Sequence, residues 1–245
     1  MEQKFNFPTE TIELPSKGLL YPPDSLLASG TVEMKYMTAK EEDILTNSNY
    51  IKQGVVIDKL LQSLVISKID INDLLIGDKN ALILASRILG YGKDYTFDYK
   101  NQEVTVDLSL LENKYLDESL MLNNRNEFEF ELPSTNNKIT FKLLTEKDQK
   151  AIEKDINGIK KINQNLSPEI STRLKHTILS INGNYDKKDI NEFVDNYLLA
   201  KDSIALRKYI LQVSPDVSMK SSIELNGVEE DIEIPIGINF FWPEL

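Results

Sequence analysis

One histidine, His176, and no cysteine at all set the chemistry open to this 245-residue chain. A Ser-His-Asp arrangement needs an imidazole beside its nucleophile, and a thiolate needs a cysteine. Any general acid or base other than His176 has to be Asp, Glu, Lys or Tyr. Disulfides and the usual cysteine-bound zinc sites are excluded outright. His176 sits two residues from Leu174 and Ile178, off their apolar stripe, and reads as a surface helix histidine. Carboxylates are grouped at Glu41-Glu42-Asp43 and Glu229-Glu230-Asp231, types that could serve a hard cation. A calcium loop, however, spaces its ligands around an obligatory glycine turn. The first group falls in the opening turns of a helix, where the dipole favours negative charge, and the second beside a strand. Both read as solvated faces. "GYG" at 90–92 follows a helix rather than a strand, the wrong order for a phosphate loop, and reads as a helix C-cap. The motifs GxSxG and HExxH are absent. The expectation is a protein that is not an enzyme, with no catalytic, cofactor-binding or metal-binding residue. A carboxylate-based metal hydrolase is the remote alternative.

What remains is chemistry of contact. In "IELPSKGLLYPP" (12–23) Pro15 breaks a strand, Gly18 permits an unusual backbone angle, and Pro22-Pro23 holds an extended course. Leu19, Leu20, Tyr21 and Pro22 thus sit on a preordered apolar arm that loses little entropy on docking. Near the other end, "INFFWPEL" carries Phe240, Phe241 and the single tryptophan, Trp242. Aromatic side chains are frequent anchors at interfaces. These seven residues are the candidate partner-docking groups. The alternative is that both segments cover the protein's own sheets.

The formal net charge of −11 and a pI near 4.8 disfavour general nucleic-acid binding, which needs clustered Lys and Arg. The densest basic pair is Lys160-Lys161. No apolar run approaches the roughly 20 residues of a membrane helix, and no secretory signal pattern opens the sequence.

The elements that would carry these groups form an internal echo. "VEMKYMTAKEED" (32–43) and "ITFKLLTEKDQK" (139–150) each give a strand with a central lysine, Lys35 or Lys142. A threonine follows, Thr38 or Thr145, with an acid three residues on, Glu41 or Asp148, as in a capping box. "IELPS" (12–16) matches "FELPS" (130–134) upstream. Downstream, "NALILASRILGYGKDYTF" (80–97) can be laid on "DSIALRKYILQVSPDVSM" (202–219). Repeats of this kind point to a duplicated unit.

The periodicity predicts helices over 54–66 and 78–89 and a hairpin over 95–99 and 103–108. It predicts further helices from Thr145 to about Asn163, over 167–181 with an Ile170, Leu174, Ile178 and Ile181 stripe, and over 188–199 with Tyr197 buried. A last helix runs from about Ser203 to Pro215, and a hairpin turns at Asn226-Gly227. The expected fold class is α+β, with helices packed on small antiparallel sheets and hairpins. The expected organisation is a strand and arm over 1–30, a first lobe over 31–125, and a second lobe over 126–245 that includes the C-terminal hairpin and aromatic tail.

"LPSKGLLYP", "VEMKYMTAKEEDILTN", "SRILGYGKDY" and the closing "IEIPIGINFFWP" together resemble the baseplate hub subunit and hub-assembly family of T-even-like contractile-tailed bacteriophages. The resemblance spans nearly the whole chain and is strongest over 11–95. It implies a structural or assembly role in the tail baseplate hub, with other hub and tail proteins as partners, while the charge and the lack of a long apolar run point away from nucleic acid and membrane. It leaves the oligomeric state open. A transient chaperone that builds the hub and then leaves is the alternative. The implied location is the host cytoplasm during assembly and the virion baseplate if the protein is retained. Some relatives carry cysteine pairs in their hairpins, suggesting a zinc-ribbon-like site. The matching stretches here, "YKNQ" (99–102) and "MKSS" (219–222), have none.

Overall fold

The computed structural model describes residues 8–122, 125–162, 168–225, 227–236 and 238–241. Strand β1 (Thr9–Glu13) pairs antiparallel with β2 (Thr31–Lys35). Between them the chain turns at Leu14-Pro15-Ser16, with Lys17 and Gly18 both left-handed at φ 52° and 78°. A Cβ on Gly18 would lie 2.6 Å from the Ala28 carbonyl oxygen, so backbone closes on backbone there and only glycine fits. Three short helices follow, α1 (Ala39–Leu45), α2 (Ser48–Gln53) and α3 (Val56–Leu64), then the long α4 (Ile76–Tyr91). Helix α4 is apolar nearly all round and buries residues on every side. The hairpin of β3 (Asp94–Tyr99) and β4 (Gln102–Asp107) and the short β5 (Asn113–Lys114) complete the first half.

In the second half β6 (Phe128–Glu131), β7 (Lys138–Phe141) and β8 (Ile178–Ile181) form a three-stranded antiparallel sheet. Helices α5 (Glu146–Ile162) and α6 (Glu169–Thr177) precede β8, and α7 (Lys187–Asn196) and α8 (Ala200–Val213) follow it. The short β9 (Asp216–Val217), the hairpin of β10 (Lys220–Leu225) and β11 (Val228–Glu233), and a 3-10 turn at Ile238–Phe241 end the described chain. The architecture is α+β, as the mixture of periods implies. The predicted helix that differs most gives way to a strand. The run over 167–181 stops at Thr177, because Ile178 pairs with Phe141 across β7 and is buried there. The apolar spacing fits a helix, but the β-branched Ile178 and Ile181 serve a strand as well. Ser167 lies outside the described residues, and Pro168 occupies the N-cap of α6. Of the Asn226-Gly227 turn, Gly227 is described, at φ 79°, and Asn226 is not.

The two halves repeat the same small set of contacts. In the first, Glu41 accepts from the Thr38 backbone N–H and hydroxyl, from Lys35 Nζ at 2.8 Å and from the Ser63 hydroxyl. In the second, Asp148 accepts from the Thr145 N–H and hydroxyl and from Lys142 Nζ at 2.7 Å. Each acid caps its helix and ties it to the preceding strand. Glu41 is fully buried rather than solvated. The Leu-Pro-Ser turns are held in a parallel way. Asp78, the third residue of α4, accepts from Ser16 N–H at 2.9 Å and Ser16 Oγ at 2.6 Å. Asp202, the third residue of α8, accepts from Ser134 N–H at 2.8 Å and Thr135 Oγ1 at 3.0 Å. These contacts set Asp78 opposite Asp202. The alignment of the bare sequences had set Asn80 there, two residues away.

Buried apolar side chains among the described residues fall into two clusters, and the clusters do not follow the expected boundary at residue 126. Val217, Ile223, Ile232, Ile234, Phe240 and Phe241 pack with the first half. Leu20 packs with the second. Two pairings carry the C-terminal segment back: β9 pairs with β5, Asn113 opposite Val217, and Glu230 accepts from Tyr99 Oη and Lys100 Nζ. The seam between halves is tight. The Ile76 N–H donates to the Leu144 carbonyl and the Glu146 N–H to the Leu74 carbonyl. Lys79 bridges Asp58 at 2.6 Å and Glu146 at 2.9 Å, and Lys150 joins both acids. The two lysines hold the Asp58 carboxyl below the usual carboxylate range despite its burial. At Gly77 a Cβ would fall 1.9 Å from the Pro215 carbonyl oxygen, a position backbone cannot vacate cheaply.

Two expectations follow. Gly77→Ala should destabilise the protein by roughly 1–3 kcal/mol or more through overpacking, read as a lowered midpoint in thermal or urea unfolding. Burial alone would raise the Glu41 pKa, but hydrogen bonds from Lys35, Ser63 and Thr38 outweigh it and hold the carboxyl at about 2. A folded pKa below the unfolded value stabilises at pH above the unfolded value and is lost as pH falls toward 2. Between pH about 4.5 and 2, Glu41→Gln should therefore flatten the loss of stability by roughly 2–3 kcal/mol, measured by urea titration at each pH.

Candidate functional site

The groups singled out for chemistry are dispersed. His176 on α6 pairs through Nε2 with Asp155 on α5 at 2.8 Å, an exposed contact between neighbouring helices. Of the two acidic runs, Glu41 is taken up by its cap and Glu230 by Tyr99 and Lys100. Among the described residues no three His, Asp or Glu side chains gather as a metal site requires.

The predicted docking residues divide by burial. Leu20 is buried in the second core, and Phe240 and Phe241 are fully buried in the first. Phe240 packs edge-on against Tyr95 with ring centroids 5.1 Å apart, and its carbonyl accepts from Arg87 Nε at 2.8 Å. Tyr21 is half-buried between the cores. Its hydroxyl donates to Asp78 at 2.6 Å and accepts from the Leu75 N–H at 2.9 Å. Burial, reinforced by the Asp78 charge, pushes the Tyr21 phenol above its ordinary range. Burial likewise raises Asp78, and hydrogen bonds from Ser16 and Tyr21 pull it back only in part. Leu19 is half-buried against the second core, Pro22 is exposed, and Trp242 lies outside the described residues. In this fold Leu20 straps the second core, and Phe240 and Phe241 plug the first.

The open apolar surface lies elsewhere, between α6 and α8. Two adjoining cavities of about 340 and 560 Å³ share Leu174 and Arg207 as a common wall. The smaller runs to the seam between halves, lined by Leu75, Leu143, Leu144, Ile210 and Pro215. The larger opens toward the end of α7, lined by Ile170, Val194, Leu198 and Ile204. Ile170, expected in a buried stripe, is 52% exposed, Ile204 on α8 is 46% exposed and Leu211 is 72% exposed. Tyr197, expected inside, stands exposed where α7 ends.

Arginines flank this groove. Arg173 donates to the Gln149 side-chain carbonyl at 2.8 Å, and Arg207 to the Ser203 carbonyl at 3.3 Å. Neither meets a carboxylate among the described residues. The acids on the lining are already engaged: Asp216 accepts from Asn80 and Glu169 from Lys160. Sequence reasoning missed this site. Its one legible trace is that α6 to α8 carry more apolar positions than their own core absorbs.

An apolar groove flanked by guanidinium groups that meet no carboxylate among the described residues can hold a polypeptide, and one family comparison bears on that. The family described as T4 bacteriophage base plate protein matches residues 8–242. The chain belongs to this family. It is a phage base plate protein with a structural or assembly role, so other base plate and tail proteins are its natural partners. A search of curated proteins returned no match, and a search of solved structures returned none either. No helix of the described residues is long and apolar enough to cross a membrane.

The strap and plug roles have a direct measure in this base plate protein. Leu20→Ala should cost roughly 2–4 kcal/mol and Phe240→Ala roughly 3–5 kcal/mol of folding stability, both read by denaturant unfolding. Pro22→Ala, on the exposed part of the arm, should leave stability within about 0.5 kcal/mol of the parent.

Proposed function

We propose that this protein is a structural component of the base plate hub, working by docking other hub and tail proteins rather than by transforming a substrate. The observation that carries this reading is the open apolar groove between α6 and α8, in a chain where Glu41, Glu230 and His176 are held by structural partners. Large exposed apolar patches rimmed by polar groups mark interaction sites. The matched contacts at Lys35, Thr38, Glu41 and Asp78, and at Lys142, Thr145, Asp148 and Asp202, support descent of both halves from one duplicated unit. Their unequal exteriors suit the protein to bridging different neighbours. The exposed end of the arm, at Pro22, adds a second, smaller surface.

Retention in the virion separates this reading from that of a transient chaperone present only while the hub is built. Quantitative mass spectrometry of purified virions should find peptides of this chain in fixed proportion to the other hub proteins. Near-absence from virions, with base plates that fail to form when the protein is missing, would assign it the chaperone role instead.

A further inference from the structure

The matched halves say what the groove is missing. Setting Asp78 opposite Asp202 places Ile83, Leu84 and Arg87 of α4 opposite Arg207, Lys208 and Leu211 of α8. In α4 that face is buried, Arg87 to 2% exposure. The cover is the chain's own C-terminal segment: the 3-10 turn contacts α4, Arg87 Nε holds the Phe240 carbonyl, and Phe240 and Phe241 fill the space beside it. On α8 the corresponding face carries no such cover among the described residues. Arg207 is half-buried there, and Lys208 and Leu211 are exposed.

We infer that the groove between α6 and α8 receives a short apolar segment of a different base plate protein, with large apolar or aromatic side chains set between carboxylates. This rests on the docking role proposed above. Size comes from the cavities, about 340 and 560 Å³, each of which accommodates bulky side chains against Leu174. Charge comes from Arg173 and Arg207, guanidinium groups left without carboxylate partners in a chain of net charge −11. Arginine presents a planar fork that matches carboxylate geometry, so acids beside the apolar anchors would pair there. A second copy of this chain is a poor occupant, because its matching aromatic pair, Phe240 and Phe241, is already fully buried in its own first core.

The test places a photo-crosslinking amino acid at Leu211 and, separately, at Leu110, an exposed position on the first half, in full-length protein made during infection. Crosslinked peptides are then mapped by mass spectrometry. The expected result at Leu211 is one dominant segment of another base plate protein, containing at least two large apolar residues and flanking Asp or Glu. Its yield should fall about tenfold in the Arg173→Glu, Arg207→Glu double variant and recover in part in the Arg173→Lys, Arg207→Lys pair, which keeps the charge and loses the planar fork. Ile204→Lys, a change at an exposed position, should lower the yield similarly and guards against a double variant that fails to fold. Crosslinks at Leu211 only to a second copy, only to segments lacking acids, or indifferent to charge reversal would overturn the inference. Base plate proteins captured at Leu110 but not at Leu211 would also overturn it while leaving the docking role standing. Capture at neither position would count against both.

Discussion

A buried carboxylate on the third residue of α4 organises this protein. Asp78 is removed from water, and an ion so placed is tolerated only where donors surround it. Ser16 gives two and Tyr21 a third, and the Tyr21 oxygen in turn takes up the free N–H of Leu75 at the helix start. The N-terminal end of the helix dipole favours the same charge. Fixing Ser16 and Tyr21 fixes what lies between them. Leu20 is thereby carried into the second core, and the arm becomes a clasp between halves rather than a free feeler.

The clasp is answered from the opposite end of the chain. The segment from Val217 to Phe241 returns to the first core, held by the β5–β9 pairing, the Glu230 contacts and the Arg87 bond to the Phe240 carbonyl. Each half therefore depends on a segment from the other, and the ion network of Asp58, Lys79, Glu146 and Lys150 closes the seam. Returning the C-terminal segment to the first half has a further consequence. It covers the Arg87 face of α4, while the matching face of α8 stays open among the described residues. Two halves that share one set of contacts thus differ on the matching helix face, covered by Phe240 and Phe241 on α4 and open on α8 among the described residues.

Much of the frame was legible in the residues. Thr38 with Glu41 and Thr145 with Asp148 announced helix starts, and both caps formed, because capping bonds lie within one turn of chain. The break at Pro15 and Gly18 was equally plain, since proline and glycine act through their own dihedral angles. The groove was not legible. Ile170 and Tyr197 carry the periodic marks of core residues, and periodicity reports that a face is apolar without reporting what covers it. Phe240 and Phe241 posed the inverse problem: aromatic residues near a chain end suit an interface and a core plug equally well.

By itself the sequence determined the α+β class, the order of most strands and helices, the paired capping constellations and a kinship with base plate proteins that the family match bears out. These rest on local conformational preference, on side-chain periodicity and on motif order. Only the tertiary structure decided that Ile178 begins a strand, that the arm and the aromatic segment serve opposite cores, and that α8 keeps an open face. Those outcomes turn on contacts between residues far apart in the chain, such as Ser16 with Asp78 and Arg87 with Phe240. Burial is a property of the assembled packing, and no short stretch of residues carries it.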